Sequence, residues 1–263
     1  MKLNIIIILV IIFQLFHSLI YADTIIIAAD QWCPYNCDPE SDKPGFMVET
    51  AITIFREHGH EVRYVIRPWK RAQKEVMEGV IHGLIASTPQ NSIGLNLIYP
   101  RIEQARMSNC FFTLKDSSWN FDGANSLKKV KLGIIQGYHY GPEIQSYVDK
   151  NINNQGMIQN IAGENALERN IKKLIKKRVT TVLEDKSVFR YTANQLGVFD
   201  QLRFAGNDGT SPTFNDLYIA FTPSAVNNHS KGYAKILANG MEQLRSKGNL
   251  SIILAKYGLK DWR

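Results

Sequence analysis

The side chains best suited to chemistry in this sequence are aromatic and polar groups gathered at a few turns. The stretch IIIAADQWCPYNC (residues 25–37) places Trp32, Pro34 and Tyr35 in and beside a loop bounded by Cys33 and Cys37. Further on come Trp69 with Arg71, Ser87 with Thr88, Tyr138 with Tyr140, and Asp185. Indole and phenol rings offer flat faces for stacking or for a cation, and each carries a hydrogen-bonding group. Arginine and aspartate add charge-assisted donors and acceptors. This is the chemistry of recognition. Bond-breaking chemistry lacks its usual signatures, since neither Gly-x-Ser-x-Gly nor His-Glu-x-x-His occurs. Asp185 would serve as a general acid only if burial raised its pKa. His58 and His60 flank Gly59, which reads as a helix cap, so they belong to a solvated loop rather than a metal site.

The elements that must position these groups follow from hydrophobic periodicity. Ile25 to Ala29 is an unbroken apolar run, the pattern of a strand buried on both faces of a parallel sheet. After the Pro44-Gly45 turn, Val48, Ala51, Ile52 and Phe55 recur at helical spacing up to Gly59. Val62, Tyr64 and Ile66 alternate as a strand. Pro68 and Trp69 open a second helix with Ala72 and Val76 inward, and Ile81 to Ser87 forms a third strand. A βαβαβ order calls for a parallel sheet with right-handed crossovers. The loops carrying Trp32 and Tyr35, Trp69 and Arg71, and Ser87 and Thr88 then share the rim where such sheets bind ligands.

A second α/β pattern follows a strand at Asn109 to Lys115 and a polar loop at Asp116 to Asn125. Val130 to Ile135 runs as a strand into QGYHYG (136–141), and a helix with Ile144, Tyr147 and Val148 on one face begins there. Free amides at that helix start suit an anionic or carbonyl group. Strands at Met157 to Ile161 and Val179 to Leu183 enclose a lysine-rich helix, and Asp185 opens another helix ending at Gly197. Tyr218 to Thr222 is a last strand, and helices at Lys231 to Lys247 and Leu250 to Tyr257 close the chain.

At 263 residues and 44% hydrophobic, the chain can build one large or two modest cores. Residues 1–22 read as a secretory signal: Lys2, the apolar run Ile5 to Phe16, and Ala22 before the cut. No cysteine follows the cut, which argues against a lipoprotein anchor. Cleavage lowers the formal charge from +7 to about +6. Much of the excess is Lys172, Lys173, Lys176, Lys177 and Arg178. They share a helix with Leu167, Ile171, Leu174 and Ile175, so they form a solvated face rather than a nucleic acid site. Export permits a disulfide. Cys33 and Cys37 are placed to close a small loop, and Cys110 is then a buried thiol; pairing of Cys110 with either is the alternative.

In order over the mature length, these segments resemble an extracellular solute-binding protein of the polar amino acid ABC transporter type (family 3). The residues that carry this are the first strand with its aromatic-Pro loop, Gly45-Phe46, Ser87-Thr88-Pro89, and Ser126-Leu127 before KLGIIQGYHYG (131–141). VLEDKS (182–187) and LRSKGNLSIILAKYGL (244–259) complete the set. ADQWCPYNC and RPWKRA look like a sub-branch of that family. The resemblance implies an α/β, two-lobed type II periplasmic-binding-protein fold with a ligand cleft between lobes. Lobe 1 would span 23–112 and 222–263, and lobe 2 would span 113–221, with crossover strands near Phe111 to Leu114 and Tyr218 to Phe221. It further implies hinge closure over a small polar solute, no cofactor, a periplasmic monomer, and an ABC permease partner in the inner membrane.

Members that bind α-amino acids follow the Thr-Pro turn with an arginine that clamps the carboxylate. Here Gln90 and Asn91 follow Thr88-Pro89. Asp185 corresponds to the aspartate that takes the amino group. Arg71 would supply the missing donors from another junction, or lie on the surface of its helix. The expected ligand is polar or cationic, stacked on Trp32, Tyr35, Trp69 or Tyr138. A dehydratase-like enzyme on this scaffold and a ligand-sensing partner of a membrane receptor are the alternatives.

Overall fold

The structure, a computed structural model, describes residues 23–209 and 215–263. The expected secretory signal, residues 1–22, lies outside the described residues. Strand β1 (Thr24–Ala29) buries Ile25, Ile27, Ala28 and Ala29 and pairs in parallel with β2 (Glu61–Ile66) and β3 (Gly83–Ser87). Helices α1 (Phe46–Glu57) and α2 (Trp69–Met77) make the two crossovers. Val48, Ala51 and Phe55 of α1, and Ala72 and Val76 of α2, turn inward as their spacing requires. The first sheet is completed by β10 (Asp216–Phe221) and β4 (Ala105–Arg106), antiparallel additions in the order β2-β1-β3-β10-β4.

The second sheet runs β7-β6-β8-β5-β9. Its parallel part is β6 (Leu132–Ile135), β7 (Ile158–Ile161) and β8 (Thr181–Asp185), and β5 (Asn109–Leu114) and β9 (Leu202–Asn207) add antiparallel to it. Helices α3 (Pro142–Asn151), α4 (Ala166–Ile175) and α5 (Lys186–Gln195) belong to this unit. Helices α6 (Ser230–Ser246) and α7 (Asn249–Ala255) return to the first, where Gly240 lets α6 approach Ile54 of α1. The lysine-rich helix α4 buries Leu167, Ile171 and Leu174 and leaves Lys172, Lys176, Lys177 and Arg178 exposed.

Three differences from the sequence reading bear on the site. All of β5 hydrogen-bonds in the second sheet and all of β10 in the first. The chain therefore changes unit at residues 107–108 and between β9 and β10, not after residues 112 and 221. Strand β8 lies two residues later than Val179 to Leu183, so Glu184 and Asp185 are its last residues. Strands β4 and β9 gave no periodic signal: one is two residues long, and the other is a sheet edge on which buried residues recur every third position instead of alternating.

Gly45 locks α1 against the aromatic loop. Its φ of 111° is one that side chains rarely adopt, and an added Cβ would lie 2.4 Å from Asn36 Cα and 2.4 Å from Tyr35 O. Gly45→Ala is expected to cost at least ~2 kcal/mol, from backbone strain plus overlap. The check is the denaturant midpoint, and an unchanged midpoint would show that the loop yields freely.

Candidate functional site

The aromatic loop is held at the end of β1 from several directions. Trp32 N–H donates to Asn36 O at 2.8 Å, and a Cys33–Cys37 disulfide ties the loop beside it. The first amides of α1 donate back into the loop, Phe46 N–H to Pro34 O and Met47 N–H to Tyr35 O. Asn36 Nδ2 donates to Asp30 O at 2.6 Å and to Tyr64 OH at 3.1 Å. Trp32 and Tyr35 stack with ring centroids 4.4 Å apart. The loop is thus a preformed wall rather than a flexible flap.

That wall faces the second unit across a narrow cavity of about 40 Å³. Trp32, Trp69, Tyr138 and Tyr140 supply its rings, and Asp30 and Glu184 supply carboxylates from the two sheets. Asn36, Asn91, Asn109 and His139 complete the polar lining. A wider recess of about 470 Å³, a volume suited to a small solute, shares Asp30, Trp32, Trp69 and Tyr138 with it.

The two units meet through the acids. Tyr138 OH donates to Asp30 Oδ2 at 2.9 Å, and Trp32 Nε1 donates to Glu184 Oε1 at 3.0 Å. Tyr35 OH donates to Asp185 Oδ2 at 3.2 Å. Asp30 keeps part of its surface open to the cavity, yet desolvation pushes its pKa up to about 6 against the hydrogen bond from Tyr138. Desolvation also pushes Glu184 up to about 8, aided by the nearby charges of Asp185 and Asp30. Two hydrogen bonds reach Glu184 Oε1, from Trp32 and from the Asp185 amide, whereas Oε2 has no partner among the described residues.

Of the residues singled out in the sequence, Trp32, Trp69, Tyr138 and Tyr140 come together on the cavity. Tyr35 supports it from beneath Trp32. Ser87 and Thr88 are buried in the turn behind it. Ser87 Oγ pairs with Ser92 and Tyr99, and Thr88 exchanges two hydrogen bonds with Asn91. Asn91, in the turn where amino-acid binders of the resembled family carry their arginine, folds back on this turn and also lines the cavity.

Arg71 and Asp185 are not on the cavity lining. Arg71 is 65% exposed and is drawn along its own helix to Glu75 at 2.6 Å. Asp185 is buried, and burial raises its pKa, but both oxygens are occupied. Oδ1 caps α5 by accepting from the Ser187 and Val188 amides, and Oδ2 accepts from Ser108 N and Tyr35 OH.

Sequence reasoning missed Asp30, Glu184, Asn36 and Asn91. Asp30 had a signal, as the first charged residue after a buried apolar run, at the ligand-binding end of a strand. Glu184 had none, because shifting β8 by two residues is what buries it.

The two α/β sheets, their antiparallel crossover strands and a cleft between strand ends define the two-lobed type II periplasmic-binding-protein fold. No protein-family model matches the chain, and no curated protein matches it. Solved structures do, across most of their length. One comes from a study of glutathione import in Gram-positive bacteria via GshT and the cystine ABC importer TcyBC of Streptococcus mutans. It is 17% identical over 91% of this chain and 96% of that one, with a TM-score of 0.74. An ancestral arginine-binding protein bound to arginine is 15% identical, covering 89% and 97%, at 0.69. A histidine kinase sensor domain with similarity to periplasmic binding proteins is 15% identical, covering 91% and 99%, at 0.70. At these identities the likeness is one of fold.

Two measurements check the site chemistry. A carboxyl whose folded pKa lies above its unfolded value keeps a proton that the unfolded chain releases, so stability is lost as pH rises between the two. For Glu184 that window runs from 4.5 to about 8, with a slope approaching ~1.4 kcal/mol per pH unit for each proton. Urea midpoints of the ligand-free protein should fall across this range, and Glu184→Gln should flatten the fall; equal slopes would remove Glu184 as its source. Alkylation of the denatured, unreduced protein should label Cys110 alone. In the native state Cys110 should resist, because burial pushes its thiol up to about 11.

Proposed function

We propose that this protein is an exported solute-binding protein that captures a small polar solute in the cleft between its lobes and delivers it to an ABC permease. The observation that carries this reading is the cavity itself. It has four aromatic rings and two carboxylates, drawn from strand-end loops of both units. Similarity of fold to an ancestral arginine-binding protein and to a protein of glutathione import supports the same reading. In this reading Trp32, Trp69, Tyr138 and Tyr140 touch the solute, and Asp30 and Glu184 receive its polar groups. Ser87, Thr88, Tyr35 and Asp185 hold the walls in place.

Closure brings the lobes together over the solute. The bonds Asp30–Tyr138, Trp32–Glu184 and Tyr35–Asp185 would break as the lobes part about the segments between β4 and β5 and between β9 and β10. The sensor-domain neighbour favours a second reading, in which the closed lobes signal to a membrane receptor. Either role places the protein outside the cytoplasmic membrane, and the uptake reading places it in the periplasm.

The test is thermal unfolding against amino acids, amines, small carboxylates and sugars, followed by small-angle scattering. A ligand at about 100 times its Kd adds ~2.7 kcal/mol, a rise of several degrees for a chain of this size. Trp69→Ala should remove that shift with the circular dichroism unchanged, and the ligand should favour the more compact form. A full shift in Trp69→Ala would take Trp69 out of the site, and an unmoved midpoint across the panel would sink the proposal.

A further inference from the structure

Resting on the solute-binding reading above, we infer that the cavity takes a small organic cation lacking a carboxylate, an amine or guanidinium compound held between Asp30 and Glu184. The first ground is polar groups left unsatisfied. Glu184 is 1% exposed and its Oε2 has no donor among the described residues. Asn36 is fully buried, lines the same cavity, and its Oδ1 also lacks a donor. Buried acceptors without donors are costly. Asn36 Oδ1, and Glu184 Oε2 once its carboxyl has given up its proton, each take an N–H donor, and an ammonium or guanidinium offers donors and no acceptor. Trp69, on the same lining, has a buried Nε1 donor without an acceptor among the described residues, which a hydroxyl or carbonyl oxygen of the ligand would satisfy.

The second ground is charge. No lysine or arginine is on the cavity lining among the described residues. Its basic group is His139, whose pKa burial lowers, so it adds no positive charge at neutral pH. Arg71, the alternative anion clamp, is committed to Glu75 at the surface. A ligand carboxylate would therefore be buried beside two acids with no charged donor, which is strongly unfavourable. An amine meets two carboxylates and four ring faces, Trp32, Trp69, Tyr138 and Tyr140, suited to a cation.

Binding should also displace a proton. Glu184 faces Asp30, Asp185, Tyr35, Tyr138, Tyr140 and His139, with Lys70 farther out on the wider recess. With a pKa of about 8 it is protonated in the empty protein at neutral pH. A bound ammonium stabilises the carboxylate, so the Glu184 proton leaves to solvent as the ion pair forms.

The test uses matched pairs on the mature protein: 1,5-diaminopentane against lysine, and decarboxylated arginine against arginine, with a sugar and a dicarboxylate beside them. Calorimetry at pH 7 is run in two buffers of different ionisation enthalpy. The expected result is at least tenfold tighter binding of each amine than of its amino acid, with proton release. Glu184→Gln should abolish that release and weaken the amine at least tenfold; Asp30→Asn should weaken it without abolishing release. Equal or tighter binding of the amino acids, or binding of the sugar or dicarboxylate alone, overturns the inference and leaves the solute-binding reading standing. Amine binding that Glu184→Gln leaves unchanged overturns the assignment to this pair. No binding by any probe overturns both readings.

Discussion

Carboxylates buried where two sheets meet impose the constraint on which the rest of this molecule depends. A charged oxygen removed from water must find donors or give up its charge. Asp30, Glu184 and Asp185 each take one donor across the interface, from Tyr138, Trp32 and Tyr35 in turn. Each of those bonds joins one α/β unit to the other, so the acids act as a clasp as well as a lining. Among the described residues Glu184 Oε2 has no partner, and Glu184 is on the cavity wall. Stability, closure and recognition therefore draw on the same few groups. Anything that changes their charge, pH or ligand, should change all three.

The aromatic loop can serve as the opposing wall because it is braced independently of the second unit. The Cys33–Cys37 bridge, the Asn36 side chain and the first amides of α1 fix it, and Gly45 permits the close approach. A wall ordered beforehand loses less freedom when a solute binds. The opposite wall is built differently, from the turn after β6 and the end of β8, both set by a parallel sheet. Tyr140 anchors that turn by donating to and accepting from the Ile135 backbone while presenting its ring to the cavity.

The polar groups that the sequence singled out are largely taken up by the fold itself. Asn91, in the turn after Thr88-Pro89, closes that turn with its side chain. Asp185 is fully engaged in capping α5 and in holding Ser108 and Tyr35. The carboxyl groups on the cavity lining are instead those of its neighbour Glu184 and of Asp30.

Most of the fold was legible from residue order. Apolar runs and helical spacing report local burial, and local burial determined both βαβ units, their strand-end turns and the aromatic character of the rim. Trp32, Trp69, Tyr138 and Tyr140 could be named for that reason, since a parallel sheet sends all its strand-to-helix turns to one edge. What periodicity does not carry is which groups meet across the cleft. Trp32 and Glu184 are 152 residues apart, and only the strand order of the two sheets brings them together. The same holds for Arg71, withdrawn by a glutamate one turn along its helix, and for Asp185, occupied by amides that exist only once α5 forms beside β5. Charge pairing is decided by distance and desolvation in the folded state. The sequence by itself therefore determined where a site could be, and the tertiary structure alone decided which charges face it.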